Sequence, residues 1–211
     1  MNITVFGSTG GVGREIVGQA LAAGHRVTAV VRDPDRLPEA LDRGALHDVV
    51  RLGDTPAVRA AVAGRDAVLS GLGSRGRKAN GVAERLTERI VSAMEAEGSR
   101  RLLVVSAMPV GPKAEGDPLF DRLSRRAVAA VLADVYADLT RMEAVLAASA
   151  TDWTAVRPPR LTEGPRTGVY RQVVDGTPRS SRTISRADVA HAMLAMIDDP
   201  ATVKQGVGIA Y

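Results

Sequence analysis

Seven residues near the start of the chain, Gly7-Ser8-Thr9-Gly10-Gly11-Val12-Gly13, limit the possible folds more than any other stretch. They follow a strand-like run, Ile3-Thr4-Val5-Phe6, and open a helical pattern from Val12 to Ala23. Glycine at the turn permits a tight reversal, and the missing side chain lets a phosphate come up to the backbone. Unpaired amides at the helix N-terminus can then donate to its oxygens. Gly-x-x-Gly-x-x-Gly between a strand and a helix is a dinucleotide-binding fingerprint. Gly7, Thr9, Gly10, Gly11, Val12 and Gly13 are therefore the first candidate cofactor-binding residues.

The rest of the chain repeats the alternation. Further strand patterns fall at 27–31, 48–52, 67–70, 102–105 and 153–156, with helical patterns at 55–63, 79–97, 119–148 and 186–198. In the helical run from Val82 to Glu97, Leu86, Ile90 and Met94 recur at helical spacing. Strands alternating with helices predict an α/β fold, a Rossmann-type doubly wound parallel sheet with helices on both faces. The segment 158–183 is rich in Pro, Gly and Arg and predicts a small C-terminal substrate-side lobe, with a short strand near 169–174. Ser185-x-x-Asp188 reads as a capping box variant that opens the last helix.

Length and composition narrow the class. A chain of 211 residues, 45% hydrophobic, fits one domain, 1–211. No apolar run is long enough to span a bilayer, and no signal peptide is visible, so a cytoplasmic location is expected. Without cysteine there is no disulfide or thiolate metal site, and the spacing of His25, His47 and His191 suggests no metal site either. Aromatic residues make up 3% and net charge is +4, which argues against a nucleic-acid surface built on stacking. Of the 28 basic residues only Lys78, Lys113 and Lys204 are lysines, and seven arginines between 157 and 186 face only Glu163 and Asp175. That excess suits an anionic small-molecule partner.

Residue 32 is expected to choose the cofactor. It ends the second strand, where an acidic side chain would accept from an adenine-ribose 2′-hydroxyl. Arg32 instead offers a planar cationic fork to a 2′-phosphate, so NADP(H) is expected over NAD(H). Asp33 begins an Asp-Pro turn.

Taken together these residues resemble the short-chain dehydrogenase/reductase superfamily in its small atypical branch, the NAD(P)H-binding proteins similar to flavin reductase/biliverdin-IXβ reductase. The likeness covers nearly the whole chain. It runs through Phe6-Gly7-Ser8-Thr9-Gly10, Val31-Arg32-Asp33-Pro34, Gly53-Asp54, Leu72-Gly73-Ser74-Arg75 and Val105-Ser106-Ala107. It continues through Arg141-Met142-x-x-Val145-Leu146, Arg157-Pro158-Pro159-Arg160 and Ile184-Ser185-Arg186-x-Asp188. The resemblance implies that Asp54 and Thr55 lie at the adenine. It places Leu72, Gly73 and Arg75 along the middle of the cofactor, and Ser106 beside the nicotinamide. Pro158, Pro159 and Arg160 would close that side and face substrate. Ser106 and Arg160 are the candidate catalytic residues, and both fall at carboxyl ends of predicted strands.

Two departures shape the expected chemistry. The wider superfamily uses Tyr-x-x-x-Lys for proton transfer, whereas Tyr136 here is followed by Thr140. Biliverdin-reducing relatives carry His after Pro-Pro where this chain has Arg160. Arginine stays protonated and cannot act as an acid, but it can bind a carboxylate or phosphate bidentately. The reading is an NADPH-dependent reductase of a flavin, FMN or FAD, or of a similar planar conjugated acceptor. A non-catalytic NADP(H)-binding redox sensor is the alternative, and an isomerase or epimerase the third choice. Oligomeric state is left open.

Overall fold

The computed structural model describes residues 1–33, 45–73, 76, 78–112 and 131–211. In chain order the elements are β1 (Asn2–Phe6), α1 (Gly11–Ala22), β2 (Arg26–Val31), β3 (Asp48–Arg51), α2 (Thr55–Val62), β4 (Ala67–Ser70), α3 (Val82–Glu97) and β5 (Arg101–Val105). Then come α4 (Ala133–Ala148), β6 (Asp152–Arg157), β7 (Arg160–Thr162), β8 (Arg171–Val174), β9 (Thr183–Ser185), α5 (Arg186–Ala195) and β10 (Gln205–Ala210). Arg75, Ser74, Pro34, Lys113 and the Arg122–Arg126 face lie outside the described residues, as does the first part of the helix expected at 119–148.

The main sheet has eight strands in the order β3-β2-β1-β4-β5-β6-β10-β8. All pairings are parallel except β10 with β8. Strand order reverses between β1 and β4, so a crevice opens beyond their carboxyl ends. Both faces are covered. Ile3 and Val5 of β1 pack with Ile16 and Val17 of α1 and Val189 and Met193 of α5. Phe6 faces the other way, with Val58 of α2, Ile90 and Met94 of α3 and Leu146 of α4. The period of two in a strand buried on both sides is why β1 reads as a continuous apolar run.

Two features differ from the expected lobe. β8 does not stay over the crevice but pairs with β10 as an antiparallel edge, and only β7 and β9 form a separate two-stranded parallel sheet. The sequence reading also lacks β7, β9 and β10. β10 hides because glycine is a poor strand signal, yet its glycines are what the packing requires. A Cβ on Gly206 would lie 2.1 Å from the Arg157 guanidinium carbon, and one on Gly208 would lie 2.4 Å from the Gly176 carbonyl. Val207 and Ile209 supply the opposite, buried face. Trp153 is half-buried and packs at the margin of the core.

Candidate functional site

The glycine loop joins β1 to α1 by direct contact of backbones. Gly7 adopts φ +74, and a Cβ there would press on Gly71 and Leu72 at 3.1 Å. A Cβ on Gly13 would lie 2.1 Å from the Gly7 carbonyl oxygen. Gly71, just past β4, stands as close to the Gly13 amide, at 2.9 Å from its own would-be Cβ. Gly71 was not singled out in the sequence, although its place at a strand end was the available signal. The Gly10 amide donates to the Gly7 carbonyl at 2.8 Å and closes the turn. Gly10 is also the N-cap and has no side chain to cap the helix. The first turn of α1, through Gly11, Val12 and Gly13, receives no side-chain cap. Ser8 turns inward and donates to Val5 at 2.7 Å, while Thr9 is half-buried at the rim. Bare backbone with free amides at the positive end of a helix fits the diphosphate of a dinucleotide.

The residues expected at the adenine assemble at the ends of β2 and β3. The Leu52 amide donates to the Val31 carbonyl at 2.8 Å, which brings the turn before α2 beside Arg32. Arg32 is exposed at this edge, with no hydrogen bond or ion pair among the described residues. Asp54 accepts from the Ala57 amide at 3.0 Å and so caps α2, with Thr55 as the first helical residue. Leu72 is half-buried against the glycine loop and Gly73 is exposed. A groove of about 460 Å³ also opens between α2 and α3, floored by Phe6 and Leu52. Of the candidate residues only Thr55 lines it, so this groove lies apart from the crevice beyond β1 and β4.

Ser106 follows β5, and its setting is made by side chains. Its hydroxyl donates to Glu143 Oε1 of α4 at 2.5 Å. The same carboxylate takes two bonds from Arg157 at the end of β6, Nε at 3.1 Å and Nη2 at 2.5 Å. Arg157 is buried, lies between Gly111 and Gly206, and leaves Nη1 without a partner. With its proton committed to a carboxylate, Ser106 has only lone pairs left to offer. It can therefore accept from an N–H group and cannot donate to a carbonyl while that bond holds. Glu143 is the residue of this network that the sequence reading lacks. The signal was present, because position 143 falls on the α4 face that buries Leu139, Met142 and Leu146.

The neighbouring segment is drawn alongside. The Ser106 amide donates to the Val156 carbonyl at 2.7 Å and the Met108 amide to the Pro158 carbonyl at 2.9 Å. Pro158 is buried, Pro159 half-buried, and Arg160 exposed at the start of β7. Arg160 has no hydrogen bond or ion pair among the described residues. Thus Ser106, Pro158 and Pro159 come together at one strand end, with Arg160 just beyond.

A second buried carboxylate fixes this region to the core. Ser185 caps α5 by accepting from the Asp188 amide at 3.0 Å. Asp188 in turn accepts from the Thr167 and Gly168 amides at 2.8 Å each and from the Tyr211 hydroxyl at 2.6 Å. Burial alone would raise its pKa, but these bonds outweigh it and hold the carboxyl at about 2. Other candidates fall away. Burial pushes the Tyr136 phenol up, the wrong direction for proton transfer, and Thr140 donates back to the Tyr136 carbonyl at 2.8 Å. His191 bonds the Tyr170 hydroxyl at 2.9 Å, a packing role. Among the described residues no three His, Asp or Glu side chains are grouped to hold a metal, and no helix is long and apolar enough to cross a membrane.

Comparison with known proteins agrees with this geometry. The anaerobillin reductase ChuY of Escherichia coli O157:H7 superposes with a TM-score of 0.77 at 23% identity, over 100% of this chain and 97% of that one. A wide-type short-chain dehydrogenase/reductase of Veillonella parvula, solved in complex with NADP, gives 0.81 at 18% identity over 100% and 94%. At these identities the likeness is one of fold. The 3-diazoavenalumate denitrifying reductase of a Streptomyces species is 38% identical over 138 residues, 57% of this chain. The match spans less than half, 44%, of that reductase's length. The family model described as NAD(P)H-binding matches residues 7–200, from the first glycine of the cradle to beyond α5. With the glycine cradle, the reversal of strand order beside it and that match in agreement, the chain belongs to the NAD(P)H-binding family.

Proposed function

We infer that the protein is an NADPH-dependent oxidoreductase that passes hydride to a flavin or a similar planar conjugated acceptor. The observation that carries this reading is the commitment of the Ser106 proton to the Glu143–Arg157 pair, at the strand end beside Pro158. When bound, the cofactor contributes hydride donation from C4 of its nicotinamide. The chain's own groups bind and orient. Amides of α1 hold the diphosphate, and Arg32 takes the 2′-phosphate and so favours NADP(H) over NAD(H). Ser106 accepts from a carboxamide N–H and fixes the ring plane. Arg160, without an ion pair among the described residues, receives an anionic substituent of the acceptor such as the FMN phosphate. The described site supplies no acid at neutral pH, which suits an acceptor whose conjugation spreads the arriving charge and whose proton comes from water. Names of similar proteins support the class: two are reductases, one of a diazo compound and one of anaerobillin. The proposed partner is thus a small anionic molecule, with neither nucleic acid nor membrane involved, and the proposed location is cytoplasmic.

The second reading, an NADP(H)-binding redox sensor without turnover, draws on the same network, in which the Ser106 proton is committed to Glu143. One experiment separates the two. NADPH oxidation followed at 340 nm should depend on added FMN. Tight NADPH binding without oxidation by flavins or quinones would favour the sensor.

A further inference from the structure

Arg186 is the first residue of α5, and its charge stands where helix electrostatics disfavours it. The first turn of a helix carries about half a positive charge on its unpaired amides, so a cation there is repelled. The side chain leaves its own helix end only to lie across another. Its Cδ and Nε both come within 2.6 Å of the point that a Cβ on Gly11 would occupy, over the first turn of α1. One guanidinium is thus set against two positive helix ends.

The described acids offset this only in part. Asp188 places a negative charge in the same turn of α5, but its oxygens are directed to Thr167, Gly168 and Tyr211 and not to the guanidinium. Glu163 accepts from Arg186 Nη1 at 2.5 Å, but its side chain is 82% exposed, and an ion pair so open to water contributes little. The placement is nevertheless built into the fold. Parallel pairing of Thr162 with Ser185 sets Glu163 and Arg186 side by side, each the first residue after its strand. Glycine at position 11 leaves the passage through which the arginine stem runs.

We propose that Arg186 is a diphosphate clamp. Its guanidinium exchanges Glu163 for a diphosphate oxygen of the bound dinucleotide, and Glu163 holds the side chain ready over Gly11 until then. This rests on the NADP(H) reading above. Amides of α1 approach the diphosphate from the helix side as neutral donors, and the arginine adds a full charge from the α5 side. The division of labour is specific. Arg32 reads the 2′-phosphate and acts on NADPH alone, whereas Arg186 acts on NADPH and NADH alike.

The test is binding, read from NADPH and NADH fluorescence and, for adenosine 2′-monophosphate, from calorimetry. Arg186→Gln should weaken both dinucleotides about tenfold or more, as loss of a charged hydrogen bond does, and leave adenosine 2′-monophosphate within about twofold. Glu163→Gln, on an exposed side chain that cannot disturb the core, should tighten both dinucleotides. Arg186→Lys should fall between wild type and Arg186→Gln. Wild-type protein that binds no dinucleotide would overturn the clamp together with the cofactor reading. Wild-type binding that survives Arg186→Gln unchanged would overturn the clamp alone. So would an equal loss of adenosine 2′-monophosphate, or weaker dinucleotide binding in Glu163→Gln.

Discussion

The two halves of the crevice are built on opposite principles. Around the glycine loop the site is made by side chains that are missing: Gly13 and Gly71 bring backbone segments to distances no Cβ would allow, and Gly7 turns the chain at φ +74. Around Ser106 it is made by side chains that are present, in a chain from hydroxyl to carboxylate to buried guanidinium. The first half is suited to hold a ligand part common to all dinucleotides. The second is suited to fix one orientation and to withhold a proton. The contrast implies that the first half should fail by overcrowding and the second by unpaired charge.

The largest effect is expected in the charged half. Glu143→Ala leaves Arg157 buried between Gly111 and Gly206 with no counter-charge, a loss of about 3–5 kcal/mol in unfolding free energy by denaturant titration. Glu143→Gln should recover part of it through a neutral acceptor. If Ala and Gln were equally mild, the pair would not be the support assigned to it. In the glycine half, Gly13→Ala forces a methyl to within 2.1 Å of the Gly7 carbonyl, with a cost of roughly 1–3 kcal/mol and loss of dinucleotide binding. Gly18→Ala in the same helix meets nothing within 4 Å and is the control that should leave stability unchanged or raised.

Those same principles decide what could be read from the sequence. The glycine loop, the Asp54 cap and the Ser185–Asp188 cap are local, each set by residues within a few positions, so spacing alone exposes them. Glu143 reaches Ser106 and Arg157 only through the tertiary fold, and the sole local sign is an acid beside Leu139, Met142 and Leu146 on a helix face that also buries Asp138. β10 escaped because Gly206 and Gly208 serve their neighbours, not their own strand propensity. Uniform composition makes the segment 158–183 read as one lobe, while its strands go to two different sheets. Composition does not report pairing partners.

Charge at the periphery gives effects of intermediate size. Arg32→Ala should weaken NADPH by about tenfold or more and leave NADH nearly unchanged, since only the former carries the 2′-phosphate. Equal losses would remove the basis for NADP(H) preference. Asp188 supplies a pH test. Its carboxyl is held at about 2 against an ordinary 3.8, so its stabilisation is complete above about pH 5 and is lost as pH falls from there through 2. The shift corresponds to roughly 2 kcal/mol. Asp188→Asn should remove that part of the acid sensitivity, seen as a flatter Tm between pH 5 and 2.

The smallest effect sharpens the contrast most. Ser106→Ala deletes one hydrogen bond to a carboxylate that keeps both bonds from Arg157, so stability should fall by only about 1 kcal/mol. A proton-donating serine would show a fall in turnover that deepens where the acceptor's own proton demand is greatest. An accepting serine that only fixes the ring plane would show the same fractional loss across pH. The bond to Glu143 requires the second pattern, because the Ser106 proton is committed to that carboxylate. Ser106→Thr, which keeps the hydroxyl, should restore most of the rate if that lone pair is what the site uses. A pH-dependent loss would mean instead that Glu143 releases the serine during turnover, and that the two halves of the crevice are less separate than their construction implies.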